Sequence, residues 1–390
     1  MSKRAARRLA AVERSATVAM LETVQHLRAA GASLVDLSRG EPDFTTPPAI
    51  TDAAIRALRS GRTHYSPSRG LPELRAAVAE KLARDNEVLA DPADGVIITP
   101  SAKHALYAAL TALLDPGDEV VIPSPGWVSY AAMVSLAGAT PVPLPLDPSS
   151  GFRITREALA AAVTPDTRVL LVNSPNNPTG RVLDEAELDA VVSVASAHDL
   201  VVVSDEIYEH LRYDDRPHLS PASRLPENTL TVNGFSKGYA MTGWRLGYLA
   251  GPADLISAAL KVHEHSVSCA ATFAQIAGEA ALTGGAEAVA AMRTAYARRR
   301  DLLVDGLNAL PGISCAAPEG SFYAFPDITG TGLDSAGFAA WLLNEAGVVT
   351  TPGSAFGPGG EGHVRLSFAA SEEELTEALT RMGKALAHKG

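Results

Sequence analysis

Short apolar runs alternate with amphipathic stretches through the middle of the chain. Six runs of five or six residues are rich in Val, Ile and Leu and carry no alternating polar positions. They lie at residues 95–99, 119–123, 168–173, 200–204, 229–233 and 247–251. Continuous apolar runs of this length are typical of strands in a sheet whose two faces are both covered. The pattern therefore predicts a central sheet buried between helices.

Helical patterns separate several of these runs. Residues 184–198 show helical periodicity, and Asp184 with Glu187 three residues later forms the pattern of a capping box. Strands that alternate with helices favour a parallel or mostly parallel sheet in an α/β domain.

The two ends of the chain differ from its middle. A long helical pattern begins after about residue 285, and a last helix is predicted at residues 371–389. We therefore predict a large domain at 48–285 and a smaller α+β lobe built from 1–47 and 286–390. The proline-rich residues 141–151 are interpreted as an extended loop.

Composition and charge exclude several classes of protein. The 390 residues are 46% hydrophobic and 20% charged, as in an ordinary globular protein, and the formal net charge is -11. This charge gives no support to binding of nucleic acid or of an anionic membrane. No run approaches the ~18 apolar residues that span a bilayer. The basic start of the chain lacks the apolar segment of a secretory signal, and Cys269 and Cys315 are interpreted as idle thiols. We expect a cytoplasmic enzyme.

Chemically useful side chains follow the predicted strands at their carboxyl ends. In open α/β sheets, ligands bind outside those ends. Five strand ends contribute residues: Ser101, Ala102 and Lys103; Trp127; Asn177; Asp205 and Tyr208; and Ser236 and Lys237. The sequence thus predicts one crevice that contains an amine, a carboxylate, a phenol, an amide and an aromatic ring.

Six ordered segments resemble one family of enzymes. The segment GFSKGYAMTGWRLG at 234–247 resembles the lysine-attachment signature of class-I aminotransferases that use pyridoxal 5′-phosphate (PLP). The segments GEPDF (40–44), YSPSRGLPELR (65–75), NSPNNPTG (173–180), SDEIYEHL (204–211) and HVRLSFAAS (363–371) resemble further blocks in the same order. The chain is most similar to the bacterial aspartate aminotransferase subgroup. The resemblance implies a fold-type-I PLP transferase with a mostly parallel sheet covered by helices.

The same resemblance implies how the cofactor is held. Lys237 carries PLP covalently through its amine and later moves the substrate's proton. Asp205 pairs with the ring nitrogen, while Asn177 and Tyr208 contact the phenolic oxygen. Trp127 lies against the ring. The phosphate is bound by Ser101, Ala102, Lys103, Ser236 and Arg245, and by Tyr65 of a second subunit.

Substrate binding is implied in the same way. Arg365 is matched to the α-carboxylate, because a planar guanidinium makes two parallel hydrogen bonds to such a group. Gly40, Trp127 and Asn177 complete that side of the site, while Ser15, Thr17 and Lys103 are assigned to the distal carboxylate of aspartate. The resemblance implies PLP as cofactor, an amino acid and a 2-oxo acid as substrates, no metal, and a homodimer with shared active sites.

Several residues also have ordinary structural interpretations. Asp205 fits the start of a helix, Asn177 an Asn-Pro turn and Trp127 the packing of a core. Lys103 fits a helix lysine that faces solvent, and Arg245 fits a surface arginine.

Substrate choice is the open point of the sequence. Glu13 and Arg14 replace the Lys-Pro of aspartate-using relatives, and Gly126 replaces a Tyr beside the predicted ring plate. Glu13 would repel a second carboxylate, and Gly126 leaves room for a larger group. Transamination of aspartate with 2-oxoglutarate is the main hypothesis. The alternatives are an aminotransferase for a bulkier, aromatic or prephenate-type substrate, a PLP-dependent C–S lyase, and a non-catalytic descendant.

Overall fold

Twelve strands and twelve α-helices make up the part of the chain that the structure describes. The structure is a computed structural model and describes residues 6–14 and 16–389. The strands are β1 Val35–Asp36, β2 Val96–Thr99, β3 Glu119–Ser124, β4 Thr140–Pro145, β5 Thr167–Asn173, β6 Val201–Asp205, β7 Thr229–Gly234, β8 Gly247–Ala250, β9 Tyr323–Ala324, β10 Val348–Val349, β11 Thr351–Pro352 and β12 Val364–Ser367. The helices are α1 Ala16–Ala29, α2 Pro48–Arg59, α3 Pro72–Asn86, α4 Ala102–Leu113, α5 Ser129–Ala137, α6 Arg156–Ala162, α7 Glu185–Ala197, α8 Ala253–Ser266, α9 Thr272–Gly284, α10 Ala286–Asn308, α11 Ser335–Ala346 and α12 Glu372–Lys389.

The central sheet has seven strands in the order β2-β8-β7-β6-β5-β3-β4. Strand β8 pairs antiparallel with both of its neighbours, and the other pairings are parallel. Asn173 lies opposite Asp205 across β5 and β6, so these strands end at the same level. The predicted mostly parallel α/β sheet is confirmed, and its carboxyl ends meet at one edge.

The predicted elements correspond closely to the observed ones. Each of the six apolar runs became a strand within about one residue of its predicted bounds. The capping box that opens α7 is formed, with the Asp184 side chain accepting from the Glu187 amide. Ser371 and Glu374 make the same reciprocal pair at the start of α12.

The interpretation of residues 141–151 as a loop was wrong at its start, because β4 occupies Thr140–Pro145. This strand lies at the edge of the sheet and pairs only with β3. The amides of Thr140 and Leu146 point toward β3 and its preceding turn. Pro141, Pro143 and Pro145 alternate with these positions, so the missing N–H groups fall on the unpaired side, where an edge strand tolerates them.

The two ends of the chain meet in a second region. Strand β1 pairs parallel with β10, and β11, β12 and β9 form a small antiparallel sheet. Arg365 lies in β12, the middle strand of that sheet. The division into domains at 47/48 and 285/286 stays a prediction. Among the described residues, no helix has the length and apolar character needed to cross a membrane.

Candidate active site

A cavity of about 270 Å³ lies at the carboxyl ends of the central strands. Twelve of the residues predicted for the site line it: Gly40, Ser101, Ala102, Lys103, Trp127, Asn177, Asp205, Tyr208, Ser236, Lys237, Arg245 and Arg365. They come from both chain regions, since β12 contributes Arg365 while the large sheet contributes most of the others. The fold therefore assembles the crevice that the sequence predicted.

Lys237 provides the amine of this cavity. Its Nζ donates a hydrogen bond to the carbonyl oxygen of Gly40. Burial lowers the pKa of Lys237 to about 8. The negative charge of Glu41 raises this pKa, and the positive charge of Arg365 lowers it. A primary amine with a lowered pKa is partly neutral near pH 8 and can act as a nucleophile or as a base.

Asp205 is the buried carboxylate at the end of β6, with 3% of its surface exposed. Tyr130 donates a 2.7 Å hydrogen bond to its Oδ2, and the Ile207 amide donates to its Oδ1 at 3.2 Å. Burial raises the pKa of Asp205 to about 6, although these two hydrogen bonds lower it. The interpretation of Asp205 as the start of a helix is wrong, because residues 207–210 form a turn and not a helix.

Tyr130 was not predicted from the sequence. It lies in the first turn of α5, three residues after Trp127, and is 2% exposed. No sequence pattern marks it, because its partner Asp205 is 75 residues away and the two meet only in the folded sheet.

The start of α4 forms one wall of the cavity. Ser101 is its N-cap, and the Ser101 side chain accepts from the His104 amide. Gly247 of β8 packs so closely that an added Cβ would overlap the backbone of Ser101 and Ala102. The helix N-terminus, with its free amides and positive dipole end, is thereby fixed at the cavity, where it can bind an anion.

Two cations lie near this helix start. The Nζ of Lys103 is 4.8 Å from the ring centroid of Trp127, so the lysine points across the cavity wall. Partial burial and the charge of Arg245 lower the pKa of Lys103. Arg245 is exposed and donates to the carbonyl oxygen of Thr242 at 2.7 Å.

Arg365 is almost completely buried, with 1% of its surface exposed. Its Nη1 donates to Asn177 Oδ1 at 3.0 Å, and its Nη2 donates to the Ser38 carbonyl oxygen at 2.9 Å. The guanidinium lies 4.3 Å from the ring centroid of Tyr323 and 5.0 Å from that of Phe356. Its buried Nε has no hydrogen-bond partner among the described residues. This rigid, incompletely paired cation is suited to a carboxylate.

Tyr323 is a second residue that the sequence did not reveal. Its hydroxyl lies 3.1 Å from the hydroxyl of Tyr208, and both rings are buried. Burial raises the pKa of Tyr208 well above its usual value. Tyr323 thus connects the predicted phenol with Arg365.

Three predicted residues remain, and only Tyr65 among them has a described side chain. Tyr65 is 89% exposed in the single chain, and its contact with a neighbour's site stays a prediction. Ser15 lies outside the described residues, and Thr17 is described only as part of the backbone of α1. Glu13 is exposed, and Arg14 forms an exposed salt bridge with Glu22.

The local backbone requires a glycine at position 126, apart from the room that Gly126 leaves for a substrate. A Cβ there would lie 2.6 Å from the carbonyl oxygen of Pro123. Its amide donates to the Phe356 carbonyl oxygen at 2.9 Å, which joins this turn to residues 353–356.

The groups in the cavity fit PLP. The amine of Lys237 matches the aldehyde, the carboxylate of Asp205 matches the ring nitrogen, and the indole of Trp127 matches the flat ring. The start of α4, with the hydroxyls of Ser101 and Ser236 and the guanidinium of Arg245, matches a phosphate.

Known proteins are similar to this chain along nearly its whole length. Residues 32–382 match the family model described as aminotransferase class I and II. An aspartate aminotransferase of Musicola paradisiaca is 49% identical over 375 residues, which cover 95% of this chain and 94% of that protein. An aspartate/prephenate aminotransferase of Thermus thermophilus is 47% identical over 383 residues, with 97% and 98% covered.

Solved structures agree with these matches. The Thermus thermophilus aspartate aminotransferase with maleate has a TM-score of 0.95 and 46% identity, and the match covers 99% of this chain and 100% of that one. The expected fold type I is thereby confirmed. The chain belongs to the class I and II aminotransferase family and is a PLP-dependent aminotransferase.

Proposed function

We propose that this enzyme transfers the amino group of aspartate to 2-oxoglutarate, giving oxaloacetate and glutamate. The observation that carries the proposal is the pair of cations Arg365 and Lys103 in the same cavity as Lys237. A dicarboxylic amino acid presents one carboxylate to each cation while its Cα faces the amine. The relatives named aspartate aminotransferase, 44–49% identical, support the same substrate.

The cofactor is held from three sides in this proposal. Asp205, held by the hydrogen bond from Tyr130, would pair with the ring nitrogen and favour its protonated form. Trp127 packs on the ring, while Asn177 and Tyr208 donate to the phenolic oxygen. The phosphate is bound by Ser101, Ser236, Arg245, the amides of Ala102 and Lys103, and Tyr65 from the second subunit.

The reaction needs a site where negative charge at the substrate's Cα is stabilised. Bound PLP supplies that chemistry as an electron sink. Arg365 binds the α-carboxylate in two parallel hydrogen bonds and so sets the direction of the Cα–H bond. Gly40 lies beside the same carboxylate. The amine of Lys237 lies in the same cavity as Arg365, where it would take the proton from the substrate's Cα and hold it for return as a general acid.

The proposal includes a homodimer with composite sites. Tyr65 is 89% exposed, although the segment that carries it is anchored: Thr272 donates to the His64 carbonyl oxygen, and Gln275 donates to Ser66 Oγ. The exposed ring on this anchored segment is the contact that we assign to a second copy of the chain. The two-domain division and the cytoplasmic location remain part of the proposal.

An apolar cavity beside the active site supports aromatic or prephenate-type compounds as a second class of substrate. A largely apolar cavity of about 410 Å³ lies beside the active site, and Trp127 lines both. Gly126 and Phe356 also line it. This space fits the ring of an aromatic or prephenate-type substrate, and relatives named aspartate/prephenate aminotransferase are 41–47% identical.

A substrate panel with two variants tests the proposal. Aspartate, glutamate, alanine and phenylalanine are assayed as donors with 2-oxoglutarate, following the 2-oxo acid released with and without the acceptor. Lys103→Ala should lower kcat/KM for aspartate and glutamate and leave alanine and phenylalanine nearly unchanged. Lys103→Arg is the control that keeps the charge. Equal losses with all four donors would reject Lys103 as the reader of the distal carboxylate. Continued release of more than one equivalent of 2-oxo acid per site without acceptor would indicate an elimination reaction instead of transamination.

A further inference from the structure

A second polar cavity lies behind the loop that carries Lys237. Its volume is about 590 Å³, and it opens between the end of α3, residues 209–218 and the first turns of α10. It shares no lining residue with the active-site cavity among the described residues. Tyr239, two residues after Lys237, forms part of its wall.

The carboxylates in this second cavity already have cationic partners. Glu209 forms a buried ion pair with Lys81, and Asp85 pairs with Arg84 at 2.7 Å. All four of these residues line the cavity. The charges within each pair cancel, so these four residues add nothing to the net charge of the cavity lining.

Two further arginines line the same cavity, and neither has a carboxylate partner within 4 Å among the described residues. Arg212 is held in place, because its Nε donates to the Glu209 carbonyl oxygen at 2.6 Å and its Nη1 donates to the Arg216 carbonyl oxygen at 3.1 Å. Arg293 projects from α10. Partial burial lowers the pKa of Arg212, and the charge of Glu209 raises it. The positive charge of Arg293 lowers the same pKa, so the two arginines are close enough to interact. The two guanidinium groups therefore face the same space and repel each other.

One other feature of the cavity favours an anion. The first residue of α10, Ala286, lines the cavity, and its N-cap Gly285 makes no side-chain capping bond. The amides of that helix start are therefore available as donors. His218 also lines the cavity, but its Nε2 lies 2.7 Å from Glu206 Oε2, so the neutral ring presents Nδ1 as an acceptor and adds no donor for an anion.

We propose that this cavity is a binding site for a small oxyanion, held between the guanidinium groups of Arg212 and Arg293. The shared chemistry is a phosphate or a carboxylate group, since both accept parallel hydrogen bonds from arginine. In a chain with a net charge of -11, two unpaired arginines in one cavity are a local positive site. The bound anion neutralises their repulsion and lies against the outer side of the Lys237 loop.

Calorimetric titration of the PLP-loaded enzyme tests the site, with inorganic phosphate and citrate as separate probes at low ionic strength. PLP fills the active-site phosphate position, and the Arg212 and Arg293 variants separate binding in this cavity from binding of citrate at Arg365 and Lys103. Arg212→Gln and Arg293→Gln should each weaken binding about tenfold or more, because a charge-assisted hydrogen-bonded contact is lost. Arg298→Gln is the matched control, since Arg298 lies on the same helix but outside the cavity.

The outcomes separate the two sources of the oxyanion. Binding of phosphate that depends on both arginines identifies a phosphate-bearing ligand, and binding of citrate alone identifies a polycarboxylate. No binding of either probe would overturn the proposal, as would binding that all three variants leave unchanged. Arg293 is exposed on a helix surface, so its variant is expected to fold even where Arg212→Gln does not.

Discussion

At the scale of the residue, Tyr130 sets the charge state of Asp205. Its hydrogen bond favours the carboxylate, while burial favours the protonated form and raises the pKa of Asp205 to about 6. Tyr130→Phe should raise this pKa further, so that less of the carboxylate is available to the ring nitrogen. We expect PLP to bind about tenfold more weakly at pH 6, with a smaller loss at pH 8. Dissociation constants at both pH values test this. Tyr107→Phe, a partly buried tyrosine of α4, is the control. An equal loss at both pH values would contradict the role given to Tyr130.

Arg365 allows a second prediction at this scale. Its side chain is fixed by Asn177 and Ser38 and lies over the ring of Tyr323. Lysine has a single charged group and cannot reproduce a two-pronged contact. Arg365→Lys should therefore lower kcat/KM for every amino-acid substrate. The loss corresponds to an increase of about 2–4 kcal/mol in the activation free energy. Kinetics with aspartate, alanine and phenylalanine measure this. A loss confined to aspartate would place Arg365 at the distal carboxylate instead.

At the scale of the element, the sequence predicted strands and their ends better than contacts between distant elements. Buried parallel strands must be apolar along their whole length, so their bounds and the residues that follow them are visible in the sequence. Tyr130 and Tyr323 were missed because each meets its partner only after the sheet and the small lobe assemble. The strand β4 was missed because an edge position, which makes its prolines tolerable, is a property of the sheet order.

A buried network joins α3 to the segment that follows β6. Lys81 pairs with Glu209 and donates to Asn86 Oδ1 at 2.6 Å, and Asn86 donates to both Glu206 and Glu209. Glu206, Glu209 and His218 are close enough to bind a metal ion, but the ammonium of Lys81 already lies against Glu209. Burial raises the pKa of Glu209, but Lys81 and two histidines lower it overall.

Removing the cation from this network should destabilise the fold. Lys81→Met leaves the buried charge of Glu209 without its ammonium partner, which costs about 3–5 kcal/mol of unfolding free energy. The lowered pKa of Glu209 means that the stability from this pair is present at neutral pH and is lost on acidification below about pH 4.3. Urea denaturation at pH 7 measures the effect. The double variant Lys81→Met/Glu209→Gln should recover most of the loss; no recovery would mean that packing, rather than charge, explains it.

At the scale of the whole molecule, the composite site predicts complementation between inactive chains. Mixing Tyr65→Phe with Lys237→Ala chains should give hybrid dimers with one site that carries both changes and one that carries neither. Activity of the mixture should therefore exceed that of either parent after subunit exchange. Separate refolding of each variant before mixing is the control. Hybrids that are no more active than their parents would place Tyr65 outside the neighbour's site.

Covalent attachment of PLP to Lys237 is the central claim about this active site, and it can be tested directly. Lys237 is the amine of the cavity, with its pKa lowered to about 8, and it lines the same space as Asp205 and Arg365. Borohydride treatment of the PLP-loaded enzyme, followed by proteolysis and peptide mass spectrometry, should find one pyridoxyl group per chain on Lys237. Lys237→Ala should carry no label there and lose nearly all transamination. A label on a different lysine, or a Lys237→Ala enzyme that transaminates at the unmodified rate, would contradict the account.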